Sequence, residues 1–184
     1  MIYLQLIDSG STQVVALPIT RADAKTHLRI THTSHDDLID DLIYAAAKEF
    51  ENYTNLCLTA QSWYLVLNQA EVNERIEFFK YPVSSVTSVS YYDADNTLTT
   101  LSSTDYTLFK GRPSSIIFDD VPSTYDRDDS MTIRFVGGYA VLPFDIKQAL
   151  LARIYRIYEN PNDPVSERQT YFDNIARSYR SYDL

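Results

Sequence analysis

Three histidines, His27, His32 and His35, run closely into Asp36 and Asp37, and these side-chain types can hold a divalent metal or pass a proton. A metal held there could activate water, which would make the chain a metal-dependent hydrolase using His27, His32 and His35. The spacing argues against that chemistry. Neither HExxH nor HxH occurs to set two imidazoles on one helix face, and the cluster straddles a break expected between two helices. Helix capping already accounts for the aspartates, which favour the positive end of a helix dipole. Cys57, the single cysteine, stands between Leu56 and Leu58 without the polar, electropositive setting that a thiolate nucleophile wants, and reads as a core residue.

Gly137 and Gly138 supply two of the four glycines and suggest a phosphate cradle. No GxxxxGK[ST] or GxGxxG surrounds them, and no Lys or Arg stands in the turn. They read instead as a structural joint with Pro143: the glycines end a strand and let the chain swing, and the proline opens a helix where its missing N–H costs nothing. Asp119, Asp120, Asp126, Asp128 and Asp129 lack the alternating DxDxDG spacing and closing Glu of a calcium loop. The sequon Asn52-Tyr53-Thr54 falls inside an expected helix. No catalytic residue, metal ligand or cofactor is assigned.

The elements around these residues follow from hydrophobic periodicity. Thr20, which begins TRADAKTHLRI, caps a helix of about two turns together with Asp23, and Ser34 with Asp37 repeats the arrangement. Beyond it Leu38, Leu42, Ala46, Phe50 and Tyr53 form a stripe that Ile39, Ile43 and Ala47 widen, and the helix stops near Asn55. Between Thr59 and Gly138 the period becomes two. SWYLVLN, RIEFFK, SVTSVSYY, DYTLFK, SSIIFD and MTIRFV read as six short strands of an antiparallel sheet or small sandwich, with turns at Tyr92 to Asn96 and at Gly111-Arg112-Pro113. After Pro143 a helical stripe returns at Ile146, Leu150, Ile154 and Ile157, ended by the prolines of NPNDP. A last segment places Tyr171, Phe172, Ile175 and Tyr179 at helical spacing among Arg168, Arg177 and Arg180, and it needs a surface to pack on. At the other end Met1 to Pro18 reads as an extended arm or hairpin around Asp8-Ser9-Gly10-Ser11.

With 184 residues, 45% of them hydrophobic, the chain can bury a core without disulfides. A net charge of -9, with eight acidic residues against three basic ones from Ser85 to Ser130, opposes duplex binding through clustered cations. It suits a surface that DNA passes without sticking. No secretory pattern opens the chain and no span long and apolar enough for a membrane is found, so a soluble cytoplasmic protein is expected. Fifteen tyrosines fit sheet packing or subunit contacts, where amphipathic rings are enriched.

Taken in order, ITRADAKTHLRI, DDLIDDLIYAAAKEFENYTN, SVTSVSYYDADN and FVGGYAVLPFDIKQALLARIYRIYEN resemble the head-tail connector (adaptor) family of tailed phages, prophages and gene transfer agents, from about Ile19 to Asn160. The resemblance implies an α+β fold: a helical adaptor core over 19–58 and 139–184, an inserted antiparallel β domain over 59–138, and an N-terminal arm over 1–18. It implies no enzyme and no cofactor. The implied role is that of a virion protein, assembled in the host cytoplasm, forming a ring of about twelve subunits below the portal protein. Such a ring meets the next connector or a tail-completion protein, and double-stranded DNA passes through its lumen without sequence-specific binding; no membrane is involved. The C-terminal segment of such proteins reaches the portal, which here points to Tyr171, Phe172, Ile175, Arg177, Tyr179 and Arg180; removing the rings of Tyr171 and Phe172 is expected to leave the fold intact and to weaken portal binding. Where the family commonly has Tyr-Thr-Gly-Arg this chain has Tyr53-Thr54-Asn55-Leu56, so the turn keeps its geometry and loses a positive charge. A virion ligand-binding or adhesion module in the β region is the further alternative.

Overall fold

The computed structural model describes residues 3–6, 16–161 and 170–180. The expected turn at Asp8 to Ser11 and the helix-ending Pro164 lie outside them. Contacts divide the chain into two compact units, Met1–Val14 with Ala60–Tyr139 and Val15–Thr59 with Ala140–Leu184.

The first unit is a small β sandwich. Its strands are β1 (Tyr3–Leu6), β2 (Gln61–Leu67), β3 (Arg75–Glu77), β4 (Val83–Tyr92), β5 (Leu98–Thr100), β6 (Tyr106–Phe109), β7 (Ser115–Phe118) and β8 (Met131–Gly137). They form a five-stranded sheet ordered β1-β2-β8-β4-β5 and a three-stranded sheet ordered β3-β7-β6, with every pairing antiparallel. Alternation chooses the inner faces. Leu65, Leu67, Val89, Met131, Ile133 and Phe135 from one sheet meet Ile76, Ile116 and Phe118 from the other in one core, where the tilted rings of Phe78 and Phe135 pack with centroids 4.5 Å apart. The six strands read from the sequence are all present. Strand β5 is an addition: its Leu98-Thr99-Thr100 is too short for a periodic signal and forms because Ser90 to Tyr92 offer an edge to pair with.

The second unit is helical. Helix α1 (Arg21–Leu28) is capped by Thr20, whose hydroxyl accepts from the Asp23 N–H at 3.1 Å and donates to the Asp23 carboxylate at 2.9 Å. Helix α2 (Asp36–Thr54) ends at Asn55 in the left-handed conformation, φ 59°, so the turn geometry expected of a glycine there is kept by asparagine. The cap expected from Ser34 does not form. His35 precedes the helix without a side-chain cap, and the Ser34 hydroxyl is held instead by His32 Nδ1 at 2.8 Å, a local bond that competes with capping. Helix α3 (Phe144–Glu159) and helix α4 (Tyr171–Tyr179) complete the unit. The buried stripe of α2 runs through Ile39, Ile43, Ala46, Ala47, Phe50 and Thr54, rotated from the expected one: Leu38 is 47% and Tyr53 39% exposed. From α3 it receives Ile146, Ala149, Leu150, Leu151 and Ile154.

The joint at the end of β8 uses one glycine for its conformation. Gly138 has φ 133°, where a side chain is strained, and its N–H donates to the Pro82 carbonyl at 2.8 Å. Pro143, φ -55°, stands immediately before α3. Gly138→Val is expected to destabilise the protein by about 1–3 kcal/mol, measured by denaturant unfolding; an unchanged midpoint would show that the bend does not need glycine.

Candidate interaction surface

The residues that could do chemistry are not brought together for it. His32 and His35 meet edge to face at 4.8 Å, and His35 Nδ1 shares a 2.6 Å hydrogen bond with the Tyr158 hydroxyl. His27 instead lies edge-on to Tyr155 and lines an open cleft with Leu28, Arg29, Tyr155 and Glu159. Among the described residues no group of three or more His, Cys, Asp and Glu side chains is gathered to hold a metal ion. The Cys57 thiol is buried. No helix among the described residues is long and apolar enough to cross a membrane.

What is built with care is the seat of α4. Thr170 caps this helix reciprocally: its hydroxyl accepts from the Asp173 N–H at 3.2 Å, and its own N–H donates to the Asp173 carboxylate at 2.8 Å. The apolar side of the helix then drops Phe172 onto Phe50 with ring centroids 5.6 Å apart, leaving Phe172 4% exposed. Tyr179 closes the other end by donating its hydroxyl to Asp145 of α3 at 2.9 Å. Arg153 of α3 grips Glu49 of α2 through two bonds, at 2.8 and 3.0 Å, and lies over the Phe172 ring at 5.8 Å. One guanidinium therefore ties together α2, α3 and α4.

The six residues expected at the portal are divided by this seat. Tyr171 is 51% exposed, and Arg177 and Arg180 are exposed, the latter over the Tyr53 ring at 5.2 Å. Phe172 is core, and Ile175 and Tyr179 are half-buried. The expectation that the rings of Tyr171 and Phe172 are both dispensable to the fold is corrected for Phe172, because period-3.6 spacing cannot tell which side of a short helix finds a partner. Sequence reasoning also passed over Arg153, Glu49 and Asp145, whose partners lie 104 and 34 residues away. Val141 and Phe144, at the start of α3, are 83% and 75% exposed.

A second set of ion pairs holds α1. Arg21 donates from Nε to Asp40 at 2.9 Å and also pairs with Asp36; Lys25 reaches Asp36 at 2.6 Å, and Lys147 of α3 reaches Asp23 at 2.9 Å. These cations hold three carboxyls below their ordinary range: Asp36 through its bond from Lys25, Asp40 through Arg21, and Asp23 through Lys147.

The chain superposes on a protein in the neck of an empty gene transfer agent (GTA) particle, computed with C6 symmetry, with a TM-score of 0.80 at 18% identity, covering 99% of this chain and 97% of that one. For the neck of the native particle, computed with C12 symmetry, the values are 0.77, 19%, 99% and 97%. For a chain of the native gene transfer agent virion they are 0.76, 19%, 98% and 96%. At these identities the likeness establishes the fold, which is α+β as expected. No curated protein matches. The family described as phage gp6-like head-tail connector protein matches residues 19–110, and the chain belongs to that family.

Two outcomes follow from the helical unit. Phe172→Ala is expected to cost about 3–5 kcal/mol, read by chemical denaturation, because it empties a packed site. Lowered folded-state carboxyl pKa values give a stabilisation that is complete above the ordinary Asp range, about 4, and is lost as pH falls through the lower folded values. Asp36→Asn with Asp40→Asn should therefore flatten the acid limb of a stability-against-pH profile; a limb of unchanged steepness would contradict this.

Proposed function

We propose that the protein is a structural virion component: a connector whose copies form a ring below the portal, extend the channel for double-stranded DNA, and join head to tail. The observation that carries this reading is the coincidence of two independent likenesses, the connector-family match over residues 19–110 and the neck-protein fold over 99% of the chain. The twelve-fold symmetry applied to the native neck supports a ring of about twelve copies, built from heterologous contacts that need two unlike faces on each copy. The next connector or tail-completion protein lies on the far side, and assembly takes place in the host cytoplasm. We read 59–138 as the inserted β domain, 19–58 with 139–184 as the connector core, and 1–18 as the arm.

Within this role α4 is the portal-facing element. Its buried Phe172 and its Tyr179 hydroxyl fix its orientation, while exposed Tyr171, Arg177 and Arg180 present the aromatic and arginine types that dominate binding energy at interfaces. Neither catalysis nor a cofactor enters the role.

Purified protein is expected to co-sediment with portal assemblies. Tyr171→Ala with Arg177→Glu should leave unfolding unchanged and weaken portal binding about tenfold or more. Wild-type affinity in that variant would move the portal contact away from α4, and a wild type that ignores portal at every salt and concentration would overturn the connector reading.

A further inference from the structure

Charge in the β unit is sorted by end. Strands β4 and β8 run antiparallel, with Val83 opposite Gly137 at one end and Tyr91 opposite Met131 at the other. At the Tyr91 end lies the turn carrying Asp93 and Asp95. The loop through Asp126 to Asp129 joins it there, since the Tyr125 N–H donates to the Tyr92 carbonyl at 2.9 Å. Asp105 and Asp119 are brought together by a 3.0 Å backbone bond at the matching end of the small sheet, with Asp120 following. All eight acidic residues of Ser85 to Ser130 thus gather on one end of the unit. Arg127 is the cation among them, and it is bound to Asp129 at 3.0 Å.

The Val83 end is cationic. The Phe78 N–H donates to the Ser114 carbonyl at 2.9 Å and the Val83 N–H to the Ser114 hydroxyl at 3.3 Å, which sets the Lys110 to Pro113 turn beside Lys80. The cations there are held by aromatic groups. Lys80 lies over Trp63 at 5.5 Å and Arg112 donates to the Tyr139 hydroxyl at 3.4 Å, while Arg75, which pairs with Ile117 toward the Asp119 end of the small sheet, reaches over the Phe109 ring at 5.2 Å. Among the described residues no carboxylate lies within ion-pair distance of Arg75, Lys80 or Lys110, although Glu77 of β3 is at the same end. In the helical unit, by contrast, Arg21, Lys25, Lys48, Lys147 and Arg153 each hold a carboxylate.

The two ends cannot neutralise each other within one copy. Ten-residue β4 separates them by about 30 Å, several times the ~8 Å Debye length of physiological salt. We propose that the acidic end of one copy's β unit docks on the cationic end of the β unit in the next copy. The inference rests on the ring reading above and names surfaces for its heterologous contact. Duplex DNA fits the cationic end less well: residues 60–139 carry 11 acidic side chains against 6 basic ones, so the field of the unit repels phosphate at range. A second copy supplies the complementary charge.

The test uses full-length chains. Lys80→Glu with Lys110→Glu reverses the cationic end, and Asp119→Lys with Asp120→Lys reverses the acidic one; circular dichroism confirms that both variants fold. Analytical ultracentrifugation, with and without portal, then reads assembly at low and high salt. Each variant alone is expected to lose the assembled species that wild type forms, and mixing the two should restore it, because each then offers the other an opposite charge. Single variants that assemble like wild type would overturn the inference while leaving the connector reading in place. The same holds if the cationic-end variant assembles normally but loses retention on a duplex DNA column, which would make that end a DNA surface. A wild type that neither self-associates nor joins portal would overturn both readings.

Discussion

Everything in the helical unit depends on closing it across an intervening β structure. Helices α1 and α2 precede residues 60–139, α3 and α4 follow them, and Phe50, fully buried, is the point where the two halves meet. The β unit itself makes that closure inexpensive. Its first long strand, β2, and its last, β8, are neighbours in register, Gln61 against Gly137, so the chain enters and leaves the sandwich at the same end. Pairing of those two strands holds the ends of the intervening segment together, which lowers the loop-closure cost of bringing the helices into one unit. The φ of Gly138 then turns the chain out of β8 without strain.

Much of this was legible in the sequence, and the failures have physical causes. The long helices were readable because Ile39, Ile43 and Phe50, and Ile146, Leu150 and Ile154, repeat at helical spacing. The rotational setting of α2 was not: Leu38 is as apolar as Ile39, and the position of the facing helix decides which of them is covered. Polar residues inside the core carry no such signal. Glu51 is buried because the Leu58 N–H donates to it at 2.9 Å and Lys48 pairs with it at 2.9 Å, partners that depend on the turn after Asn55. Strand β5 is defined by its neighbour rather than by its own three residues.

The candidate surface was readable in kind but not in division of labour. Aromatic and arginine residues of the last helix stood out as interface types, yet Phe172 belongs to the core that Phe50 organises. The exposed side of that helix is left to Tyr171, Arg177 and Arg180. Net acidity was equally visible, whereas the gathering of eight aspartates at one end of the sandwich required the strand pairing, which brings Asp93, Asp105, Asp119 and Asp126 from separate turns together there. The same pairing leaves Lys80 and Lys110 together at the opposite end.

The central claim is that the chain is a ring-forming connector, and an electron-microscopy image of the purified protein mixed with portal tests it most directly. The account predicts a closed ring of added density coaxial with the portal, with one copy of this chain per repeat and an open central channel. Portal particles without added density, or single copies bound without closure, would contradict it.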